Sequence, residues 1–360
     1  NSINYRSDPR PKRIYEYLKS NKRYFLKNLL IPRQIDDGVS LSNSLKNLNF
    51  LFFLKKLFCL KLNIHNEYYS EIINFLKKKN LLEFDYVYVS NINHMYAVSN
   101  IINQKRIIWD AREYYPEHYL QKFLWKFLYS KFYYELINKS IKNILVGFTV
   151  SESLKKKYKK NFKKNFHVIY SFPKYESLKI KKIKKKIKII HHGICAKNRK
   201  IENYIFVAKL LGNQYEISCM LKIVDKKYYK YLKSLSADVQ NFKFINPVKM
   251  INISKKINNF DIGLIILLKE SINHMMSMPN KLFEAIQARL CIISTPTNDI
   301  KNFINKNKCG CVSKEFTPES IADTIKSLSK KEIFNFKKNS NMISGKVSNK
   351  VNKKIWNKIL

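Results

Sequence analysis

The residues Met278-Pro279-Asn280-Lys281-Leu282-Phe283-Glu284-Ala285-Ile286-Gln287-Ala288, followed by the apolar run Leu290-Cys291-Ile292-Ile293, have the pattern of a loop, a helix start and a buried strand. Pro279 suits a helix start, where its missing N–H costs nothing. Asn280 can cap the first turn. Leu282, Phe283 and Ile286 share an inward face at helical spacing. Glu284 is then expected near the positive end of the helix, at the carboxyl edge of a sheet, where a carboxylate can accept ribose hydroxyls. The same residues fit an ordinary helix whose early acid complements the dipole, and spacing alone favours that plainer reading. His191-His192 are ligand-like in type, but such a pair at a strand end ordinarily turns one ring inward and one outward, and no metal role is expected.

Composition narrows the chemistry. Six scattered cysteines include no CxxC pair, and Cys309-Gly310-Cys311 has the wrong spacing for a common zinc site. They read as reduced, mostly buried thiols of a cytoplasmic protein. The closest two of the seven glycines are Gly193 and Gly212, so neither a Walker loop nor a GxGxxG turn is present. That disfavours a P-loop NTPase and a standard NAD-binding enzyme. No apolar run reaches the length of about 18 residues that a spanning helix needs. The first residues show neither an initiator Met nor the regions of a signal peptide, and the start is expected to be trimmed. The 69 Lys and Arg against 26 acids give a net charge of +43. Such a field attracts polyanions or an anionic membrane. Lys, Asn, Ile, Tyr and Phe are over-used together, as A/T-rich codons would cause, and no nucleic-acid module accompanies the charge.

The 360 residues suit two domains. In the first, helices are expected over Lys12–Ser20 (after Asp8-Pro9-Arg10-Pro11), Glu67–Lys78, Tyr119–Lys142 and Glu152–Lys160. Strands are expected over Phe50–Leu54, Tyr86–Val89, Arg106–Trp109, Ile144–Val150 and His167–Tyr170, with a loop over Asp110–Glu117. A Lys/Ile linker, 174–188, leads to a second unit. There strands are expected at Ile187–His191, Glu216–Ile223, Phe242–Ile245, Asp261–Leu268 and Cys291–Ser294. They alternate with helices at Ile201–Leu211, Lys226–Ser236, Met250–Ile257 and Pro318–Ser329, and Cys309–Val312 reads as a turn. The alternation implies an α/β fold with parallel sheets covered on both faces. Tandem units of this kind place a cleft between them, with ligands at strand carboxyl ends.

Pro279-Asn280-Lys281-Leu282-Phe283-Glu284 resembles the "PNKLFE" form of the nucleotide-binding motif of retaining group 1 (family 4-like) glycosyltransferases. Phe84-Asp85-Tyr86-Val87-Tyr88 is similar to that family's "YDVIH" strand, and Trp109–Glu117 to its "YDxHExxPE" segment. Phe148-Thr149-Val150-Ser151-Glu152 resembles "ITVSE", Val168–Pro173 resembles "VIxNxP", and Asp261-Ile262-Gly263-Leu264 resembles "ADIGL". Order and spacing together make the resemblance specific. It implies the GT-B fold: two Rossmann-like parallel-sheet domains, 1–173 and 189–345, facing a central cleft, joined by the linker 174–188, with a C-terminal helix, 346–360, packing back toward the first domain.

The resemblance also implies roles. Glu284 would hold the donor ribose, with Asn280, Lys281 and Leu282 in the same motif. A family Glu eight residues earlier is Met276 here. In His192–Arg199 the family uses a Gly turn and two basic residues against the diphosphate. Gly193 and Arg199 match, Ile194 replaces the first basic residue, and Lys281 is the candidate substitute. The physical need is charge building on the leaving phosphate, although Arg199 also reads as a solvated surface residue. On the acceptor side Arg112 takes the place of a family His, and Asp110 and Glu113 would orient hydroxyls. A structural loop network around Arg112 fits equally well. The metal-binding DxD signature is missing, the only adjacent aspartates being Asp36-Asp37.

The implied function is transfer of a sugar from a nucleotide-sugar donor to a glycan or lipid-linked acceptor in bacterial lipopolysaccharide, capsule or O-antigen assembly, retaining, with no cofactor or essential metal. Phe123, Leu124, Trp125, Phe127, Leu128, Phe132 and Tyr133, interleaved with Lys122, Lys126 and Lys131, add expected peripheral docking of a cytoplasmic protein at an anionic membrane. An inactive GT-B-like scaffold is the alternative, motivated by Met276, Ile194 and Arg112. A nucleic-acid-binding role, motivated by charge alone, is disfavoured.

Overall fold

The computed structural model describes residues 9–21, 23, 25–31, 50–102, 105–120, 122–123 and 125–359. Asp8, Leu124 and the Asp36-Asp37 pair lie outside the described residues. The contacts define two units. One runs to Tyr170 and takes in Glu270–Asn273, and the other is Ser171–Lys269 with His274–Lys358.

The first unit contains α1 (Pro9–Ser20), α2 (Phe50–Leu62), α3 (His65–Tyr68), α4 (Ser70–Lys77), β1 (Val87–Val89), α5 (Ile92–Ser99), β2 (Ile107–Ala111), α6 (Ser130–Ser140), β3 (Ile144–Thr149), α7 (Glu152–Phe162) and β4 (Phe166–Val168). The strands form one parallel sheet in the order β1-β2-β3-β4. Every residue of β2 is buried, the signature of a central parallel strand covered on both faces. In α7, Leu154, Tyr158 and Phe162 recur every fourth residue on the buried face. Ser151 caps that helix by accepting from the Leu154 N–H at 3.2 Å.

Three expectations change here. Phe50–Leu54 is the first part of a helix, because the apolar run continues through Lys55-Lys56 to Leu62, and short apolar runs do not separate strand from helix. Tyr119–Lys142 is not one helix: a π-helical turn, Trp125–Tyr129, precedes α6. Asp110 and Ala111 belong to β2 and not to the following loop.

The second unit contains β5 (Ile187–Cys195), α8 (Glu202–Leu210), β6 (Tyr215–Ile223), α9 (Lys226–Leu235), β7 (Phe242–Ile245), α10 (Ile253–Ile257), β8 (Ile262–Ile265), the last two residues of α11 (Ile272–Met275, whose first two belong to the first unit), α12 (Asn280–Gln287), β9 (Cys291–Ser294), α13 (Asn298–Asn307), β10 (Gly310–Val312), α14 (Pro318–Lys326), α15 (Lys330–Ile343) and α16 (Asn349–Ile359). Residues 310–312 are therefore a strand and not the turn that their sequence suggests. The sheet is parallel throughout, in the order β10-β9-β8-β5-β6-β7. The chain builds outward from β5 to β7, then returns to the other side of β5 as β8. The reversal between β5 and β8 is the switch point at which open α/β sheets bind ligands.

Two local features prepare that point. β5 pairs with β6 from Ile187↔Tyr215 to Cys195↔Ile223, but with β8 only at Ile189↔Ile262 and Ile190↔Gly263. Its last residues, His191–Cys195, thus run past the pairing with β8. A Cβ on Gly263 would come 2.8 Å from the Ala285 Cβ, so this glycine lets α12 lie close against β8.

The stretch 174–186 has no regular structure and is tied within the second unit. Gln287 Oε1 accepts from the Glu176 N–H at 3.1 Å, and Arg289 Nη2 donates to the Glu176 carbonyl at 2.6 Å. Gln287 Nε2 also donates to the Ser344 and Val347 carbonyls at 2.6 and 2.8 Å, fixing the chain ahead of α16. All six cysteines are free, and five are buried.

One buried ion pair joins α1 to the first sheet. Arg10 Nε and Nη2 donate to Asp110 at 2.7 and 2.5 Å, and the Tyr88 hydroxyl donates to the same carboxylate at 2.7 Å. Arg10 also donates to the Ile169 carbonyl. Burial alone would raise the Asp110 carboxyl, but the charge and hydrogen bonds of Arg10, with Arg112 and Tyr88, hold it below its ordinary value. The pair's stabilisation is therefore present above the unfolded carboxylate pKa and is lost as pH falls through the depressed native one. Arg10→Ala should destabilise the protein by about 3–5 kcal/mol by stranding a buried charge. Adding Asp110→Asn should recover part of that loss in urea denaturation. Equal losses in the single and double variants would show that the ion pair is not what holds α1.

Candidate functional site

The carboxyl end of β5 and the first turns of α12 bring the expected second-unit residues together. Pro279, with φ −72° and ψ 147°, is the residue ahead of α12, and no side chain caps the helix. Asn280 is therefore the first helical residue and not the cap. Leu282, Phe283 and Ile286 are fully buried, as their spacing predicts. Leu282 consequently anchors α12 in the core.

Glu284 is 4% exposed. Its Oε2 lies 2.8 Å from His192 Nε2, the imidazole N–H donating to the carboxylate. His192 stands on the part of β5 that runs beyond β8. Sequence reasoning did not find this partner, which is 92 residues away along the chain. Both His191 and His192 are buried, so the expected in-and-out alternation fails. His191 packs against Tyr204 with ring centroids 3.9 Å apart. Burial, with Lys281 and His192 nearby, pushes its pKa well below the ordinary value, so it is neutral.

Gly193 lies inside β5 and its φ is not positive, so the expected glycine turn is strand. What the missing side chain leaves is space: a Cβ here would meet Lys281 Nζ at 3.7 Å and His191 Nε2 at 3.6 Å. The Lys281 ammonium thus stands over the β5 backbone at Gly193. Burial, then the Arg199 charge, lowers Lys281 to about 8, with Glu284 opposing the shift. Arg199 is exposed, in the short helical turn Lys197–Arg199. Its electrostatic effect on both Lys281 and His191 places it in the same cluster. A buried carboxylate flanked by a lysine and an arginine, at a sheet's switch point, can accept hydroxyl donors at one position and anionic oxygens at the next.

In the first unit, Asp110, Arg112 and Glu113 have different surroundings. Asp110 is fully buried, and both its oxygens are engaged by Arg10 and Tyr88. It is a structural carboxylate, and its network centres on Arg10, not on Arg112. Arg112 and Glu113 are half-buried. Glu113 Oε2 lies 2.8 Å from His118 Nδ1. The adjacent Tyr114 N–H donates to Asn273 Oδ1 at 2.7 Å, which fixes the backbone of this loop. Among the described residues no group of three or more His, Cys, Asp or Glu side chains could hold a metal ion.

Residues 187–331 match the family model described as glycosyl transferases group 1. No curated protein matches the sequence. Among solved structures, the chain is similar to WaaG, a glycosyltransferase involved in lipopolysaccharide biosynthesis, at 14% identity over 78% of each chain with a TM-score of 0.54. It is similar to TarM of S. aureus, solved with UDP, at 16% identity over 80% of this chain and 58% of that one, with a TM-score of 0.59. It is also similar to an alpha,alpha-trehalose-phosphate synthase (UDP-forming) from Burkholderia xenovorans, at 9% identity over 92% and 85%, with a TM-score of 0.62. At such identities the likeness speaks to the fold, and the family match speaks to the second unit. The chain has the GT-B fold and carries a group 1 glycosyltransferase domain over residues 187–331, which makes it an enzyme of glycosyl transfer.

Proposed function

We propose that the chain transfers a sugar from a nucleotide-sugar donor to a glycan or lipid-linked acceptor in the assembly of a bacterial surface polysaccharide. The observation that carries this reading is the meeting of buried Glu284 with His192 and Lys281 at the carboxyl end of β5, where the Arg199 charge also acts on Lys281. Glu284 accepts the ribose hydroxyls, and His192 orients its carboxylate. Asn280 and the backbone at Gly193 border the same place. Lys281 and Arg199 meet the diphosphate and stabilise the charge that grows on it as the sugar leaves. Two cations there supply the kind of positive charge that a metal supplies in other transferases, which supports a metal-independent reaction. Retention of configuration follows from the resemblance to the retaining family. Arg112 and Glu113 are proposed to orient the acceptor. The likeness to WaaG, a glycosyltransferase involved in lipopolysaccharide biosynthesis, supports a lipopolysaccharide setting.

A lipid-linked acceptor calls for contact with a membrane, and the first unit offers the surface. Among the described residues no helix is long and apolar enough to cross a bilayer. Phe132 and Tyr133, expected in the docking region, are core residues, while Phe123 and Phe127 are exposed. α2 packs against the Trp125–Tyr129 turn and exposes Phe50, Leu51, Leu54, Phe58 and Leu62 beside Lys55 and Lys61. Apolar side chains bordered by ammonium groups fit peripheral docking at an anionic, cytoplasmic membrane face.

Glu284→Ala should cost roughly 2–4 kcal/mol of transition-state binding, since a charged hydrogen-bonding partner is lost. Ligand-observed NMR with UDP-, GDP-, ADP- and CMP-sugars should show one nucleotide class bound by the wild type and lost in the variant. Unchanged binding and turnover in the folded variant would remove Glu284 from the donor site. Because Lys281 is charged below about 8, affinity for the matching nucleoside diphosphate should fall as pH rises through that value. Lys281→Arg should flatten the profile, and an unchanged profile would assign the titration to another group. Phe50→Ser with Phe58→Ser should reduce co-sedimentation with phosphatidylglycerol vesicles at least fivefold while soluble-donor binding stays the same. Undiminished sedimentation would place docking elsewhere.

A further inference from the structure

We propose that the second unit carries another anion site, at the amino ends of β5 and β8, which takes a compact oligophosphate. A cavity of about 430 Å³ opens there, lined by Lys181, Lys182, Lys184, Lys186 and Lys188 together with Asn259 and Asp261. Its one acid is already spent inside the fold. Asp261 Oδ1 takes the buried Lys337 ammonium at 2.8 Å, and its Oδ2 accepts the Lys188 N–H at 3.0 Å. Among the described residues no carboxylate forms an ion pair with the five lining lysines. The chain holds them there because Ile183 packs on the core and Ile187 is buried, pinning the segment between the lysines. Ammonium groups gathered around one cavity repel one another, more strongly near a protein surface than in bulk water. A ligand bearing several negative charges relieves that repulsion.

The lining also limits the ligand's chemistry. It holds ammonium groups, one amide and one carboxylate, and no aromatic side chain. Base stacking, which carries single-stranded nucleic-acid binding, has no platform there. The volume lies within the range of small-molecule sites. Clustered phosphate groups on a compact body therefore fit better than a polymer or a nucleoside. The site is not the donor site. Lys186 directly precedes β5 and Gly193 stands near its far end, a separation of about 23 Å at about 3.3 Å per residue.

The test is calorimetric titration of the full chain with inorganic tripolyphosphate, using orthophosphate as the single-phosphate control. The lining variant K182E/K184E/K186E is compared with K226E/K227E/K230E, which makes the same charge change on α9. All six lysines are exposed, and circular dichroism checks that both variants fold. Wild type and the α9 variant should bind one tripolyphosphate per chain at least tenfold more tightly than orthophosphate, and the lining variant should lose tenfold or more. Equal weakening in both variants would reduce the effect to the protein's general positive field and overturn the site. So would one-for-one displacement of tripolyphosphate by UDP, which would place it in the donor site. An RNA oligomer that outcompetes tripolyphosphate at equal phosphate concentration would overturn the compact-ligand assignment.

Discussion

Glu284 is a carboxylate taken almost wholly out of water, and the arrangement at the end of β5 answers that fact. A buried carboxylate loses several kcal/mol of hydration unless hydrogen bonds and positive charge replace it. His192 supplies the hydrogen bond and Lys281 the nearby charge. Both can reach it only because β5 outruns β8 and because Gly263 lets α12 approach the sheet. The sheet topology, the short pairing and one absent side chain thus act toward one end: a charged group held rigidly at the switch point. Lys281 in turn is held where its proton is loosened, so the cluster has more positive charge than Glu284 alone neutralises.

The first unit shows the contrasting case. Asp110 is equally buried, but Arg10 meets it through two nitrogens and Tyr88 adds a third donor. Charge and partner are matched one to one, and the result is an anchor between α1 and β2. The same chemical group, a buried carboxylate, therefore has different surroundings in the two units. What distinguishes them is the balance of charge around each carboxylate, not burial, which they share.

Much of the strand and helix order was legible because parallel α/β units have a strong period: buried runs such as Ile107–Trp109 and Cys291–Ser294 separated by amphipathic helices. The errors have local causes. Phe50–Leu54 was ambiguous because five apolar residues fit a strand as well as the start of a helix. α5, α13 and α15 were missed, although Ser329 and Glu332 form a capping box that marks the start of α15. The Asn280 cap failed by one position, since Pro279 already takes the place ahead of the helix. The Pro279–Glu284 motif was legible as the start of a helix with Leu282 and Phe283 turned inward. The partners of the buried carboxylates were not: Arg10 is 100 residues from Asp110, and His192 is 92 from Glu284. Spacing along the chain carries no information about pairs that only the sheet order brings together.

Charge is where composition misleads most. An excess of +43 says only that lysine is abundant. The fold sorts the lysines into physically different classes. Lys337 is buried and neutralised by Asp261, so it belongs to the core. Lys281 is half-buried beside an arginine and has its proton loosened. Lys55 is exposed and paired with Glu67, a contact that water and salt largely screen. Lys181, Lys182, Lys184 and Lys186 form a further class, exposed yet gathered around one cavity by the isoleucines among them. Since β5 is rigid and begins beside that cavity, a single strand has excess positive charge at both ends. At its carboxyl end a glutamate shares the place with the cations, and at its amino end the only acid is already paired. The two ends therefore differ in charge balance: a carboxylate sits within the cluster at one, and the lining acid at the other is taken up by Lys337.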